Sequence, residues 1–169
     1  MKWCFEIKTG IEMIEPSGNL AEAYIKKSKD ALEMAGMSLK AKKKDWTATT
    51  LYYCRYFILY ALLQKIGIKS QNHTCTILFA KKFLRKKIDK EKIEELMQFK
   101  DERIEKQYYV AKSGMDQKKL KGMEEKTKEF FFYVLEVMST ITEEEINDVR
   151  EKFIKYKKRY DDEEKANAS

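Results

Sequence analysis

The thirteen residues LYYCRYFILYALL, positions 51–63, constrain the fold more than any other stretch of the chain. Almost every position is apolar whichever helical face is considered, so a helix built from them has to be covered on all sides. Arg55 interrupts the run, which also falls short of a bilayer span. A chain of 169 residues has room for one domain with a real core. In a domain this small, cover on every side points to a second subunit, and a homodimer is expected. Only 1 proline and 6 glycines accompany 37% charged and 43% apolar residues. That balance suits an all-helical domain with charged outer faces, and excludes a disordered chain or a sheet protein.

The helical pattern extends on both sides of the run. Residues 1–18 read as an irregular arm ending in the turn signal EPSG. Asn19 with Glu22 forms a capping-box pattern, and Leu20, Tyr24, Ala31 and Ala35 follow at helical spacing to about residue 40. Asp45 is placed to cap the second helix, from Trp46 to Ile66, and Gly67 to stop it. SQNHT caps a third helix with Ile77, Ala80 and Leu84 inward, and Asp89 starts a fourth with Met97, Ile104 and Tyr108 on one face. KSGMD (112–116) breaks that helix, and a fifth carries Met123, Phe130, Val134 and Val137. Thr142 and Glu145 form a second capping box, opening a sixth helix with Ile146, Val149, Phe153, Tyr156 and Tyr160. The expected architecture is all-α, an up-and-down bundle of four to six antiparallel helices. It divides into an arm (1–18), a bundle (19–141), a C-terminal amphipathic helix (142–160) and a frayed or disordered tail (161–169).

Charge and cysteine usage bound the partners. Lysine and arginine number 35 against 28 acidic residues, a net charge of +7, so nucleotide or RNA phosphates are reasonable ligands. Positive charge concentrates in KAKKK (40–44), KKFLRKK (81–87) and KYKKR (155–159), and two such runs meeting across a dimer would suit an RNA backbone. Cys4, Cys54 and Cys75 form no Cys-x-x-Cys pair and have a single histidine to help them, so they read as reduced intracellular thiols. The start of the chain has no signal-peptide apolar region, and a cytoplasmic protein without membrane attachment is expected. Neither a glycine-rich phosphate loop, paired metal-binding carboxylates nor a Ser/His/Asp pattern is present, so no metal or cofactor is expected.

Three places remain as candidate sites. In RIEKQYYV (103–110), Arg103 and Gln107 lie four residues apart and share a helix surface, with Tyr108 beside them. A guanidinium fork with an amide and a phenol suits a phosphate, although pairing of Arg103 with acidic neighbours is an equally ordinary role. His73 falls in the first turn of the third helix, where the helix dipole favours a neutral imidazole able to accept a proton near neutral pH. A hydrogen bond tying it to a tyrosine of another helix is the alternative. Arg55 among Tyr52, Tyr53 and Tyr56 needs either a carboxylate from another helix or a phosphate ligand.

The order of these features resembles a known family. IEPSGNLAEAYIKKSKDALEMA, DWTATTLYYCRYFILYALLQKIGIKSQNHTCTI and RIEKQYYV, in that order, are similar to archaeal and bacterial HEPN-domain proteins (higher eukaryotes and prokaryotes nucleotide-binding). The resemblance covers about residues 11 to 138 and leaves out the last helix. It implies a helical bundle, a homodimer, and a setting beside nucleotidyltransferase-type partner proteins in toxin–antitoxin or defence modules. Ribonuclease-active members carry an arginine followed four to six residues later by a histidine. Arg103 matches the arginine, but no histidine follows it in Ile104 to Tyr109, and Tyr108 is a poor proton shuttle at neutral pH. The expectation is therefore a nucleotide- or RNA-phosphate-binding module using Arg103, Gln107, Tyr108, His73 and Arg55. A metal-independent ribonuclease toxin, with His73, Arg103 and Tyr108 as its catalytic candidates, and a non-catalytic helical interaction protein are the alternatives.

Overall fold

The computed structural model describes residues 1–108 and 116–167, except for the side chains of residues 105–108 and 167. Helices dominate: α1 (Gly18–Lys40), α2 (Lys44–Ile66), α3 (His73–Phe83), α4 (Lys90–Tyr108), α5 (Gln117–Thr140) and α6 (Glu143–Asn167). The expected all-α bundle is thus present, with its apolar α2 at the centre. Between Leu51 and Leu63 only Tyr53 and Phe57 keep partial exposure. A tight turn, in which Lys42 takes a positive φ of 57°, sends α2 back along α1. Ser28 then donates to the Cys54 carbonyl at 2.7 Å, and Tyr24 meets Tyr60 edge-on. Helices α4 and α5 close the other sides of α2. Cover expected from a second subunit is therefore supplied within one chain, and α2 by itself gives no argument for a dimer.

Local sequence explains most helix ends. Asn72 accepts from the Cys75 amide at 3.1 Å and caps α3. Thr142 and Glu145 satisfy each other's backbone amides at the start of α6, as the capping box requires. Gly67 ends α2 with a φ of 83°, and a Cβ there would lie 2.1 Å from Arg150 Nη1 and 2.5 Å from the Ile14 carbonyl oxygen. Two starts differ from expectation. Ser17, extended after Pro16, caps α1 through the Leu20 amide, so Asn19 lies inside the helix. Helix α2 begins at Lys44, and Asp45 occupies its first turn. There a carboxylate complements the helix dipole without capping it. Leu20 is exposed and stands outside the expected stripe of α1. The break expected at KSGMD falls largely outside the described residues.

The arm and the tail are more ordered than their composition suggests. Residues Lys2–Phe5 form a 3-10 turn, and β1 (Ile11–Met13) pairs antiparallel with β2 (Ile68–Ser70), with Ile11 opposite Ser70. Cys4 and Cys75 are joined in a disulfide, their Cα atoms 5.7 Å apart across 71 residues. The expectation of three reduced thiols is corrected: only Cys54, buried in α2, is free among the described residues. Sequence spacing could not reveal the pair, because the strand pairing brings the arm to the start of α3. The 161–169 tail is likewise helical as far as Asn167. Phe5 packs against Phe153, Tyr156 and Tyr160, Tyr160 donates to Glu6, and Lys2 pairs with Glu163, so the arm holds the end of α6 in place. Arg150 fastens the same helix to the bundle by donating to the carbonyls of Ile14, Ile66 and Gly67 at 2.9 to 3.2 Å. No described helix is long and apolar enough to cross a membrane.

Candidate functional site

The start of α3 is fixed from several directions. Strand β2 runs into it, Ser70 Oγ accepts from the Asn72 amide, Gln71 donates to the Thr9 carbonyl, and the disulfide holds Cys75. His73, the first residue of α3, is set by this frame against the tyrosines of α2. Its ring stacks on Tyr56, with centroids 3.9 Å apart and planes at 8°, and its Nδ1 lies 2.7 Å from the Tyr52 hydroxyl. The tie to a tyrosine of another helix is therefore real.

The same contact decides which ring nitrogen carries the proton. Tyr52 is fully buried, and burial holds its phenol well above the usual range, so the hydroxyl stays protonated. Among the described residues that hydroxyl has no other acceptor, so it donates to Nδ1, and the neutral ring carries its own proton on Nε2. His73 is neutral, but its pKa is lowered to about 4, so the ring does not take up a proton near neutral pH as its position in the first turn suggested. The causes are burial first, then the charges of Arg103 and Lys100. A neutral ring that presents N–H is a hydrogen-bond donor.

Arg103 joins this group from α4. Among the described residues of that helix Ile93, Leu96 and Phe99 form the buried stripe, whereas Met97 and Ile104 of the expected inward face are only part-buried and the Tyr108 side chain lies outside the described residues. Continued by a turn, the stripe carries Lys100 and Arg103 toward α2 and α3. Arg103 Nη2 donates to the Tyr53 hydroxyl at 3.1 Å, and the guanidinium lies 5.0 Å from the Tyr53 ring centroid and 5.6 Å from that of Tyr52. Its Nε is buried without a hydrogen-bond partner among the described residues. The described acidic neighbours are engaged elsewhere: Glu102 binds Lys119 at 2.9 Å and Asp101 lies 3.6 Å from Lys100. Arg103 has no carboxylate partner among the described residues. Lys100 donates to Thr74 Oγ1 at 3.0 Å, which brings a second cation to the first turn of α3.

The structure thus assembles two of the sequence candidates, His73 and Arg103, and adds Lys100, Tyr52 and Tyr53. Lys100 was legible in principle, since it stands three residues before Arg103 on the same helix. Gln107 and Tyr108 continue α4 by a further turn, but their side chains lie outside the described residues. Arg55 is not part of the group. Fully buried, it donates to Thr127 at 3.0 Å, lies 3.4 Å from a Glu95 oxygen, and stacks 3.9 Å from the Phe99 ring centroid. The carboxylate of another helix, and not a phosphate, answers the charge in the apolar run. Tyr53 and Phe57, stacked at 5.5 Å, continue toward exposed Trp46 a stripe of α2 that is part-open among the described residues.

The site therefore consists of two cations and a neutral imidazole donor, held by the tyrosines of α2. All of its ionic and N–H groups favour an anion, and a planar guanidinium beside an ammonium suits phosphate oxygens. No three His, Cys, Asp or Glu side chains gather as a metal site would need among the described residues.

A family model of the HEPN domain matches residues 21–160. The match reaches beyond the resemblance seen in the sequence and takes in most of α6, the helix that Arg150 ties to the bundle. Among curated proteins nothing matches the chain. Matched over most of its length and folded as a helical bundle, this chain belongs to the HEPN domain family.

Proposed function

We propose that the chain is a phosphate-recognising HEPN module that binds a nucleotide or RNA through Arg103, Lys100 and His73. The observation that carries this reading is the Arg103 guanidinium. Among the described residues it is held by a tyrosine and not a carboxylate, its buried Nε lacks a partner, and a neutral imidazole and a second cation stand beside it. An anion bound there would gain charge-assisted hydrogen bonds without displacing an existing ion pair of Arg103. HEPN membership is consistent with a nucleotide- or RNA-related function, and domains of this family often dimerise and bind RNA. In this reading Gln107 and Tyr108 orient the ligand from the next turn of α4.

A homodimer, a nucleotidyltransferase-type partner, a toxin–antitoxin setting and a cytoplasmic location complete the proposal. Calorimetric titration of ATP, GTP and a short RNA at low salt tests it. Binding at millimolar concentration or better is expected for at least one, weakened at least about tenfold by Arg103→Ala. Failure of all three to bind the folded protein removes the proposal.

The pairing of His73 with Arg103 also supports a second reading, a metal-independent endoribonuclease. Its chemistry needs a base for the 2′-hydroxyl and an acid for the leaving oxygen. In the resting arrangement His73 Nδ1 is occupied by Tyr52 and Nε2 carries the proton, so the ring has no free lone pair to act as a base. Binding therefore ranks first. RNA cleavage in excess EDTA that is abolished by both His73→Ala and Arg103→Ala would reverse the order.

A further inference from the structure

The opposite end of α3 carries a separate feature. There residues of the basic runs KKFLRKK and KYKKR converge within one chain. They line a cleft of about 440 Å³ whose charged residues are Lys82 and Arg85 on one side and Lys152, Lys155 and Arg159 of α6 on the other. Phe83 and Tyr156 form its floor, meeting at 5.8 Å, and the Lys82 ammonium sits 3.8 Å from the Tyr156 ring centroid. Among the described residues no acidic side chain lines it. Nearby carboxylates are matched: Asp148 by Lys152 and Glu151 by Lys155 along α6, Glu94 by Lys81, and Glu145 by Lys87. Lys82, Arg85 and Arg159 have no carboxylate partner among the described residues.

We propose that this cleft binds the phosphodiester backbone of single-stranded RNA. Lys152, Lys155 and Arg159 stand at three- and four-residue steps on one face of α6, a cationic row about 10 Å long. A row of that length suits successive phosphates better than one isolated anion. The aromatic floor offers ring surface on which a base can rest, the combination that sequence-tolerant single-strand sites use. A membrane surface fits less well, because it needs an apolar face beside the charges. The apolar face of α6 is occupied in the core by Val149, Phe153 and Tyr160. The cleft shares no residue with the Arg103 group and lies about 14 Å from it along α3, so it does not depend on that site.

The test is fluorescence anisotropy of the full chain with a labelled oligouridine of about 20 nucleotides, over a range of salt concentrations. The triple variant Arg85→Gln/Lys155→Gln/Arg159→Gln is compared with Lys26→Gln/Lys29→Gln/Lys40→Gln, which removes the same charge from exposed positions of α1. Circular dichroism checks both folds. The cleft triple is expected to weaken binding at least about tenfold near 100 mM salt, and to make the log–log salt slope shallower by about 2, at roughly 0.7 per lost phosphate contact. The α1 triple should change affinity less than about threefold. AMP binding at the Arg103 group, where present, should be unchanged in the cleft triple. Absence of RNA binding by the wild type, an unaffected cleft triple, or equal weakening by both triples would each overturn the proposal. So would binding to phosphatidylserine vesicles in place of RNA. Loss of AMP binding alone in Arg103→Ala bears on the other site and leaves this one standing.

Discussion

Arg55 and Arg103 both lie among the tyrosines of α2, yet the fold uses them in opposite ways. Arg55 has its charge answered by Glu95, its Nε by Thr127 and its flat face by Phe99, and only its Nη2, like Arg103 Nε, lacks a partner among the described residues. Burial pushes its pKa down while Glu95 opposes the shift. Burial also disfavours ionisation of Glu95, but Lys126 and Arg55 outweigh it and hold that carboxyl below its ordinary range. Arg103 keeps partial exposure, rests on the Tyr53 phenol and depresses a neighbouring imidazole. A buried guanidinium that already has its carboxylate is a structural tie; one left without a counter-ion is the better place for an arriving phosphate.

The sharpest way to break this contrast is to truncate each arginine. Arg55→Ala removes a fully buried side chain and leaves Glu95 with only Lys126, so a loss of about 3 kcal/mol is expected in urea unfolding. Arg103→Ala should cost less than about 1 kcal/mol while weakening ligand binding. Equal destabilisation by the two would erase the distinction. Thr127→Val keeps shape but removes the acceptor of Arg55 Nε, and about 1–2 kcal/mol should be lost with ligand binding unchanged.

The pH dependence sharpens the other side of the comparison. Because the folded pKa of His73 is depressed, the unfolded chain binds the extra proton first as the solution is acidified. The contribution of His73 is therefore fully present above its ordinary value of 6.5 and is lost as the pH falls through about 4. Wild-type stability should fall over that window by more than that of His73→Gln, the difference isolating this residue from the carboxylates. Arg103→Ala should raise the ring's midpoint, since it removes a neighbouring charge. A midpoint at the ordinary histidine value in the intact protein would contradict the packing of His73 against Tyr56.

What the sequence made legible follows the range of the interaction. Gly67, Asn72 and the Thr142–Glu145 box act within one turn, and their roles could be read directly. The all-round apolar α2 announced a central helix, but not that α1, α4 and α5 would cover it. Contacts across the chain were not legible: Cys4 with Cys75, β1 with β2, Arg150 with three carbonyls, and the arm that keeps α6 helical past residue 160. The site divides in the same way. His73 and Arg103 stood out by residue type, whereas Tyr53 as the partner of Arg103 and Thr74 as that of Lys100 required helices distant in sequence to meet. Arg55 drew attention for the right reason, a charge in an apolar run, and the fold answered it with Glu95.

The most direct test of the Arg103 site is to follow the His73 ring by NMR while AMP, and then a short oligoribonucleotide, is added at low salt. The account predicts a saturable shift of the ring signals at millimolar ligand or below, with the Nε2 proton retained and the response weakened at least about tenfold by Arg103→Ala. Ring signals that do not move with either ligand, while the protein remains folded, would contradict it.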